Sequence, residues 1–265
     1  AAGAELLDVA STDLRDEAKI AARSNQAFPA WPASLLDTEA HPVHARATGY
    51  IQTVDPEIML TLANEKNLVV HILHKPGHFV WSGKVIAHVW PAIQVDEWVD
   101  KQISRTFRVG SQRTPTQDIE CAVNQLVEMA VRAMSPAIND PFTAMTCLEY
   151  LGHGLALFAQ QGEEHRNTYD RAGQLRVIFA PLTFGELAGA AFNMLRHASC
   201  DNASVLLQML NVIDEIGREV KSPAARRILA HHATLIQAES QVGALIEADR
   251  QLIRLRCAAL QEKLQ

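Results

Sequence analysis

The spacing of apolar and polar residues changes rhythm along the chain. Glu5 to Arg23 carries Leu6, Leu7, Val9, Leu14 and Ile20 among charges at loosely helical spacing, then runs into Phe28-Pro29-Ala30-Trp31-Pro32. This predicts a short helix or helices followed by an extended connector, over 1–44. From Ala45 to Ile93 the pattern turns β-rich. Gly49–Val54 and Asn67–His74 read as strands, with turns at Pro76-Gly77 and Ser82-Gly83. Between them Asp55-Pro56 supplies an N-cap followed by proline at the first helical position, and Glu57–Ala63 are helix formers, so a strand–helix–strand unit is expected. In Val69–Leu73 and Phe79–Trp90 both alternating faces are apolar, as in strands covered on both sides.

Helical periodicity dominates from Thr114. Thr114-Pro115-Thr116-Gln117 reads as a capping box opening a helix to about Met134, with Ile119, Val123, Leu126, Val127, Ala130 and Val131 along one side. Ser135-Pro136 stops it, and Asp140-Pro141 restarts a helix to about Gln160. After a polar loop, Leu175–Phe179 is a short β-like run. Helices follow over Thr183–His197, Ala203–Val220 and Pro223–Gln265, the last a helical hairpin broken near Gly243. Its stripe of Leu245, Ala248, Leu252, Leu255 and Ala259, backed by Ile246, Ile253 and Leu260, suits packing against a bundle or another subunit. The expected fold is α+β, mostly α: a small β-rich, half-barrel-like unit over 45–113 with one inserted helix, then a helical bundle over 114–265. The run Gly77–Ile86 resembles the hairpin of biotinyl/lipoyl-type half-barrels. No lysine flanked by methionine stands at its tip, so no covalently attached cofactor is expected.

Composition narrows the function. With 24 Lys and Arg against 30 Asp and Glu, the net charge of −6 argues against a broad phosphate-backbone footprint, and scattered arginines such as Arg226-Arg227 and Arg250, Arg254 and Arg256 do not restore one; no nucleic-acid partner is expected. No stretch reaches the roughly 18–20 apolar residues of a membrane helix. Cys121, Cys147, Cys200 and Cys257 show no CxxC spacing and read as free thiols of a reducing compartment. GxSxG, P-loop and dinucleotide-binding patterns are missing. His71, His74 and His78, with His41, His44 and His88, crowd the β-rich region, but strand positions 71 and 74 face opposite ways, so no metal site is expected.

The densest polar cluster is Arg113, Thr114, Gln117 and Asp118 at one helix start and Ser135, Asn139, Asp140 and Thr143 around the next. Two helix N-termini joined by a short linker suit an anion or a small polar ligand. The same residues also serve as caps and turn formers, and Arg113 can lock the elbow by pairing with Asp118 or Asp140.

These segments carry a family pattern. Phe107-Arg108-Val109-Gly110-x-x-Arg113-Thr114-x-x-Gln117-Asp118 and Arg132–Ala144, with its Ser-Pro-x-Ile-Asn-Asp-Pro run, resemble an uncharacterised bacterial "predicted membrane protein" family. Gly49–Gln52 with Asp55, Pro76-Gly77-x-Phe79-Val80, Asp170-x-x-Gly173-x-x-Arg176-Val177, Phe184–Arg196 and Asp249–Arg256 agree with it, from about Thr48 to Arg256. The resemblance implies about four membrane helices ahead of a soluble C-terminal part, which by their even number would lie on the cytoplasmic face of the inner membrane. Together the expectations are a non-enzymatic regulatory or assembly domain, transporter- or channel-associated, that forms homo-oligomers. The alternative is a small-ligand sensor or enzyme with its site at the 113–143 elbow.

Overall fold

The computed structural model describes residues 39–161, 167–179 and 181–264; the helix and connector expected before residue 39 lie outside them. The described chain is α+β and mostly helical. It forms two compact units, one of residues 39–118, 167–179 and 181, the other of 119–161 and 182–264.

The β-rich unit contains β1 (His41–His44), β2 (Gly49–Val54), α1 (Pro56–Glu65), β3 (Val69–Ile72), β4 (Phe79–Val80), β5 (Val85–Trp90), a 3-10 turn at Ala92–Gln94, α2 (Glu97–Thr106), β6 (Phe107–Gly110), β7 (Asn167–Tyr169) and β8 (Leu175–Ile178). Five strands lie in the order β1-β5-β3-β8-β7 and three in the order β4-β2-β6. All pairings are antiparallel except β3 with β8. The strand–helix–strand expectation holds. Asp55 accepts from the N–H of Ile58 and Pro56 opens α1. Its flanking strands, β2 and β3, join different sheets.

The half-barrel-type hairpin does not form. β4 pairs with β2, and β5 pairs with β1 and β3, so the turn at Ser82-Gly83 carries the chain from one sheet to the other. Val80 of β4 and Ile86, Ala87 and Val89 of β5 nevertheless enter one shared core. Helix α2 had no counterpart in the periodicity. Its signal is local, an Asp96 side chain accepting from the N–H of Val99, with Val99 and Ile103 buried. Asp100 ties it to His41 of β1 at 3.2 Å and to Arg46, just beyond that strand, at 2.8 Å.

The β-like run at 175–178 is β8, inserted in sequence between two helices of the other unit. Asp170 builds the turn before it: Oδ1 accepts from the N–H groups of Ala172 and Gln174, and Gly173 takes φ +78°. Oδ2 accepts from Arg176 Nε at 2.9 Å, and Arg176 Nη1 donates to Asn67 Oδ1 at 2.8 Å and to the Leu68 carbonyl at 3.4 Å. Those bonds, with burial opposing them, leave the Asp170 carboxyl below its ordinary range. The guanidinium thus fastens the inserted hairpin to the turn that leads into β3.

The helical unit contains α3 (Ile119–Ala133), α4 (Pro141–Gln161), α5 (Phe184–Ala198), α6 (Ala203–Glu219), α7 (Pro223–Val242) and α8 (Glu247–Leu264). Asp140 caps α4, Thr183 and Glu186 form a reciprocal capping box on α5, Asn202 caps α6 and Ser222 caps α7. The break at Gly243 divides the C-terminal hairpin as expected. A Cβ at Gly152 would overlap Val212, so α4 and α6 approach at that glycine. Asp214, 4% exposed, receives Arg218 at 2.7 Å, Lys263 at 3.1 Å and Arg256 at 3.5 Å. Burial raises its pKa, but the bonds from Lys263 and Arg218 outweigh that and hold it low.

The C-terminal stripe divides: Leu245 is buried in the unit, while the positions further along it on α8 are left for another surface. On α8 the buried positions are Ile253, Cys257, Leu260 and Leu264. Leu252 and Leu255 are 51% and 63% exposed. Inside the unit, His232 lies 5.4 Å from the Phe192 ring, and its Nδ1 has no hydrogen-bond partner. Burial, then His231 and Arg196, push its pKa down to about 4.

Two outcomes follow from these buried groups. Arg176→Ala strands Asp170 and is expected to lower the unfolding free energy by about 3–5 kcal/mol in urea titration; a loss under about 1 kcal/mol would contradict the fastening role. For His232 the folded state holds the neutral ring while the unfolded chain titrates at 6.5. Stability is therefore unaffected above that value and falls as pH drops towards 4, by about 3 kcal/mol in total, with no further loss below. In His232→Gln that part of the pH slope disappears.

Candidate functional site

The eight residues expected to bind a ligand divide between the units. Asp118, at the last position of the β-rich unit, is 3% exposed at its side chain. Arg113 reaches it with both arms, Nε to Oδ2 at 2.7 Å and Nη2 to Oδ1 at 2.8 Å. The Arg113–Asp118 pairing expected from the sequence forms. The pair lies against the turn at Gly77, whose φ is +90°. A Cβ there would overlap the Asp118 carboxylate and come within 2.9 Å of Arg113 Nη2.

The expected capping box at Thr114–Gln117 does not form, and α3 starts at Ile119. Gln117 is engaged elsewhere: its Oε1 accepts the N–H of Val54 at the end of β2 at 2.8 Å. With Arg113 fixed on Asp118 and Gln117 fixed on β2, Thr114-Pro115-Thr116 spans the gap as a turn. Nearby, Gln52 Nε2 donates to the Gln112 carbonyl, and Gly110 leaves room for the Gln52 amide. Motif residues from three separate stretches, Gly49–Gln52, Pro76–Val80 and Gly110–Asp118, therefore meet at the three-stranded sheet.

In the helical unit, Asn139 adopts φ +48° and donates its N–H to the Ser135 carbonyl at 2.8 Å, while Asp140 N–H reaches the Ala133 carbonyl. The left-handed Asn139 turns the chain out of α3 so that Asp140 can cap α4. Asp140 accepts from the Thr143 hydroxyl and N–H, and those bonds lower its pKa. Asn139 and Thr143 are exposed. Each group of candidates thus has a local structural task in its own unit.

Two of the histidines that crowd the β-rich region stand in a second cluster, together with lysines that no motif marks. Around the Gly77 turn stand His74, Lys75, His78 and Lys84. The His74 and His78 rings meet edge to face at 5.7 Å. Burial comes first in lowering the His78 pKa, followed by Lys75, Lys84 and Arg113, with Asp118 opposing; burial, Lys84 and His78 lower that of His74. Both rings are neutral at neutral pH. His71, opposite His88 in the β3–β5 ladder, is lowered by burial and then by His88. Among the described residues no group of three or more His, Cys, Asp or Glu is placed to hold a metal ion. The visible signal for this cluster is an acid-free stretch. From Lys66 to Val95 the chain has no Asp or Glu, and it carries three Lys and four His.

None of the four cysteines is in a disulfide. Cys121, Cys147 and Cys257 are buried and Cys200 is half-buried. Burial pushes the thiols of Cys147, Cys200 and Cys257 up, with Asp201 and Glu239 adding to the effect at Cys200.

Comparison with known proteins gives relatives of undefined activity. An uncharacterized protein of Mycobacterium bovis and one of Mycobacterium tuberculosis H37Rv are each 25% identical over 245 residues, covering 91% of this chain and 46% of their own length. A protein of M. tuberculosis CDC 1551 matches at the same identity and coverage. The chain thus spans just under half the length of these relatives. No solved structure matches. Among the described residues no helix is long and apolar enough to cross a membrane. Residues 3–215 match one family model, and the chain belongs to the family described as "Predicted membrane protein (DUF2254)".

Proposed function

We propose that this chain is the non-enzymatic regulatory or assembly part of a bacterial membrane protein, transporter- or channel-associated, and that it works as a homo-oligomer at the cytoplasmic face of the inner membrane. The family description and the extra length of the relatives support a membrane-embedded portion elsewhere in the whole protein. The observation that carries the assembly role is the outer face of α8. Leu252 and Leu255 point away from the unit's core, and Val242 and Ile246 at the α7–α8 turn are 82% and 66% exposed. A stripe of this kind normally packs on a partner. A ligand role for the elbow is the weaker reading, because Arg113, Gln117, Asp118 and Asp140 already make the bonds that shape their own turns.

Light scattering tests this reading. The chain is expected at a multiple of 29.2 kDa. Leu252→Asp with Leu255→Asp is expected to weaken association at least about a hundredfold, since each leucine buries apolar area in every copy of the contact. A wild-type mass that stays monomeric at high concentration would contradict the assembly role.

A further inference from the structure

The three-stranded sheet has one face in the core and one towards solvent. Ile51 on β2 and Val80 on β4 are fully buried. Their alternating neighbours face outwards, and the register sets Tyr50 opposite Phe79. The two rings meet edge to face at 5.1 Å. Two residues beyond Phe79, Trp81 continues the same face. Phe79 is 49% exposed and Trp81 55%. The Lys84 ammonium sits 4.6 Å from the Trp81 ring centroid and 3.4 Å from the Phe79 carbonyl. The turn between them is held by the Ser82 N–H donating to Thr48 Oγ1 and the Gly83 N–H donating to the Ala45 carbonyl. Two rings on paired strands, with a third ring and a lysine in the turn that follows them, thereby form one surface.

Charge says what suits it. The chain as a whole is at −6, yet Lys66–Val95 holds no acidic residue and contributes Lys75, Lys84, His74 and His78 beside the aromatic face. Asp118 is close to this cluster, but its carboxylate is 3% exposed and covered by Arg113. Tryptophan and tyrosine with flanking lysines are the side chains that settle at a membrane–water boundary, rings at headgroup level and ammonium groups on phosphate. The chain-wide charge of −6 opposes either kind of polyanion, and it is the pairing of exposed rings with lysines that favours the membrane–water boundary.

We propose that this face, formed by Tyr50, Phe79 and Trp81 with Lys84 and Lys75, docks on anionic lipid headgroups and so holds the β-rich unit against the bilayer. This deepens the membrane-protein reading above and rests on it for the presence of a bilayer near the unit. The histidines add to it: protonation of His74 and His78 on acidification raises the positive charge of the face, against Lys75, Lys84 and Arg113 around them and with Asp118 as the facing acid.

Vesicle flotation of the purified chain tests the docking. Binding is expected to phosphatidylcholine vesicles containing phosphatidylglycerol, and to be weak on phosphatidylcholine alone. Phe79→Ser with Trp81→Ser, and separately Lys84→Glu, are expected to lower partition by roughly tenfold or more, and high salt to weaken wild-type binding in the same sense. Unchanged circular dichroism and melting show that these exposed-site variants are folded. The monomeric Leu252→Asp, Leu255→Asp variant is expected to float with the same lipid preference, so the docking and the assembly role fail separately. Equal partition onto neutral and anionic vesicles, or variants that float like wild type, would overturn the proposal. So would a fall in oligomeric mass in Phe79→Ser, Trp81→Ser, which would assign the face to a second copy, or displacement from vesicles by a single-stranded oligonucleotide.

Discussion

The Asp118 carboxylate is withdrawn from water, and a buried charge of that kind is tolerated only with a partner of matched geometry. Arg113 supplies it as a two-armed guanidinium, and the turn at Gly77 lies against the pair with no side chain of its own. Around this contact the rest of the small sheet takes its place. Gly77 N–H and His78 carbonyl pair with Ile51, which sets the β4 edge, and Gln117 closes the end of β2. The ion pair therefore fixes where the strand segment ends, where α3 can begin, and how the Phe79–Lys84 segment is aimed at solvent.

That arrangement explains which features were legible in the chain. Caps that act within three or four residues were readable: Asp55 before Pro56, Asp140 before Pro141, Thr183 with Glu186, and the break at Gly243. Thr114-Pro115-Thr116-Gln117 has the same local signature but fails as a helix start, because Gln117 gains a backbone partner 63 residues away in sequence, on β2. Long-range pairing also explains β4 and β5. Their turn residues suit a hairpin, while their hydrogen bonds go to two different sheets. On α8 the periodicity marks two apolar stripes without saying which of them packs inside the unit. Both Leu252/Leu255 and Ile253/Leu260 are apolar stripes at helical spacing, and only packing chooses which one is buried.

The candidate site was legible in part for the same reason. Its residues were picked out by their polar density at two helix starts, and the structure shows that density being spent on shaping turns. The Lys75, His78 and Lys84 cluster and the rings of Tyr50, Phe79 and Trp81 form no motif of spacing. They come together through strand register and one glycine turn. The family pattern thus records two things at once: residues that fold the units, such as Asp170, Gly173 and Arg176, and residues that bring the outward face of the small sheet into line.

The central claim is that the Arg113–Asp118 pair is a folding element first. A double-mutant cycle in urea with Arg113→Met and Asp118→Leu tests it most directly. The account predicts that Arg113→Met alone, which leaves the carboxylate buried and unpaired, loses about 3–5 kcal/mol, and that the double variant recovers much of that loss. Single variants as stable as the wild type, with no coupling between the two positions, would contradict it.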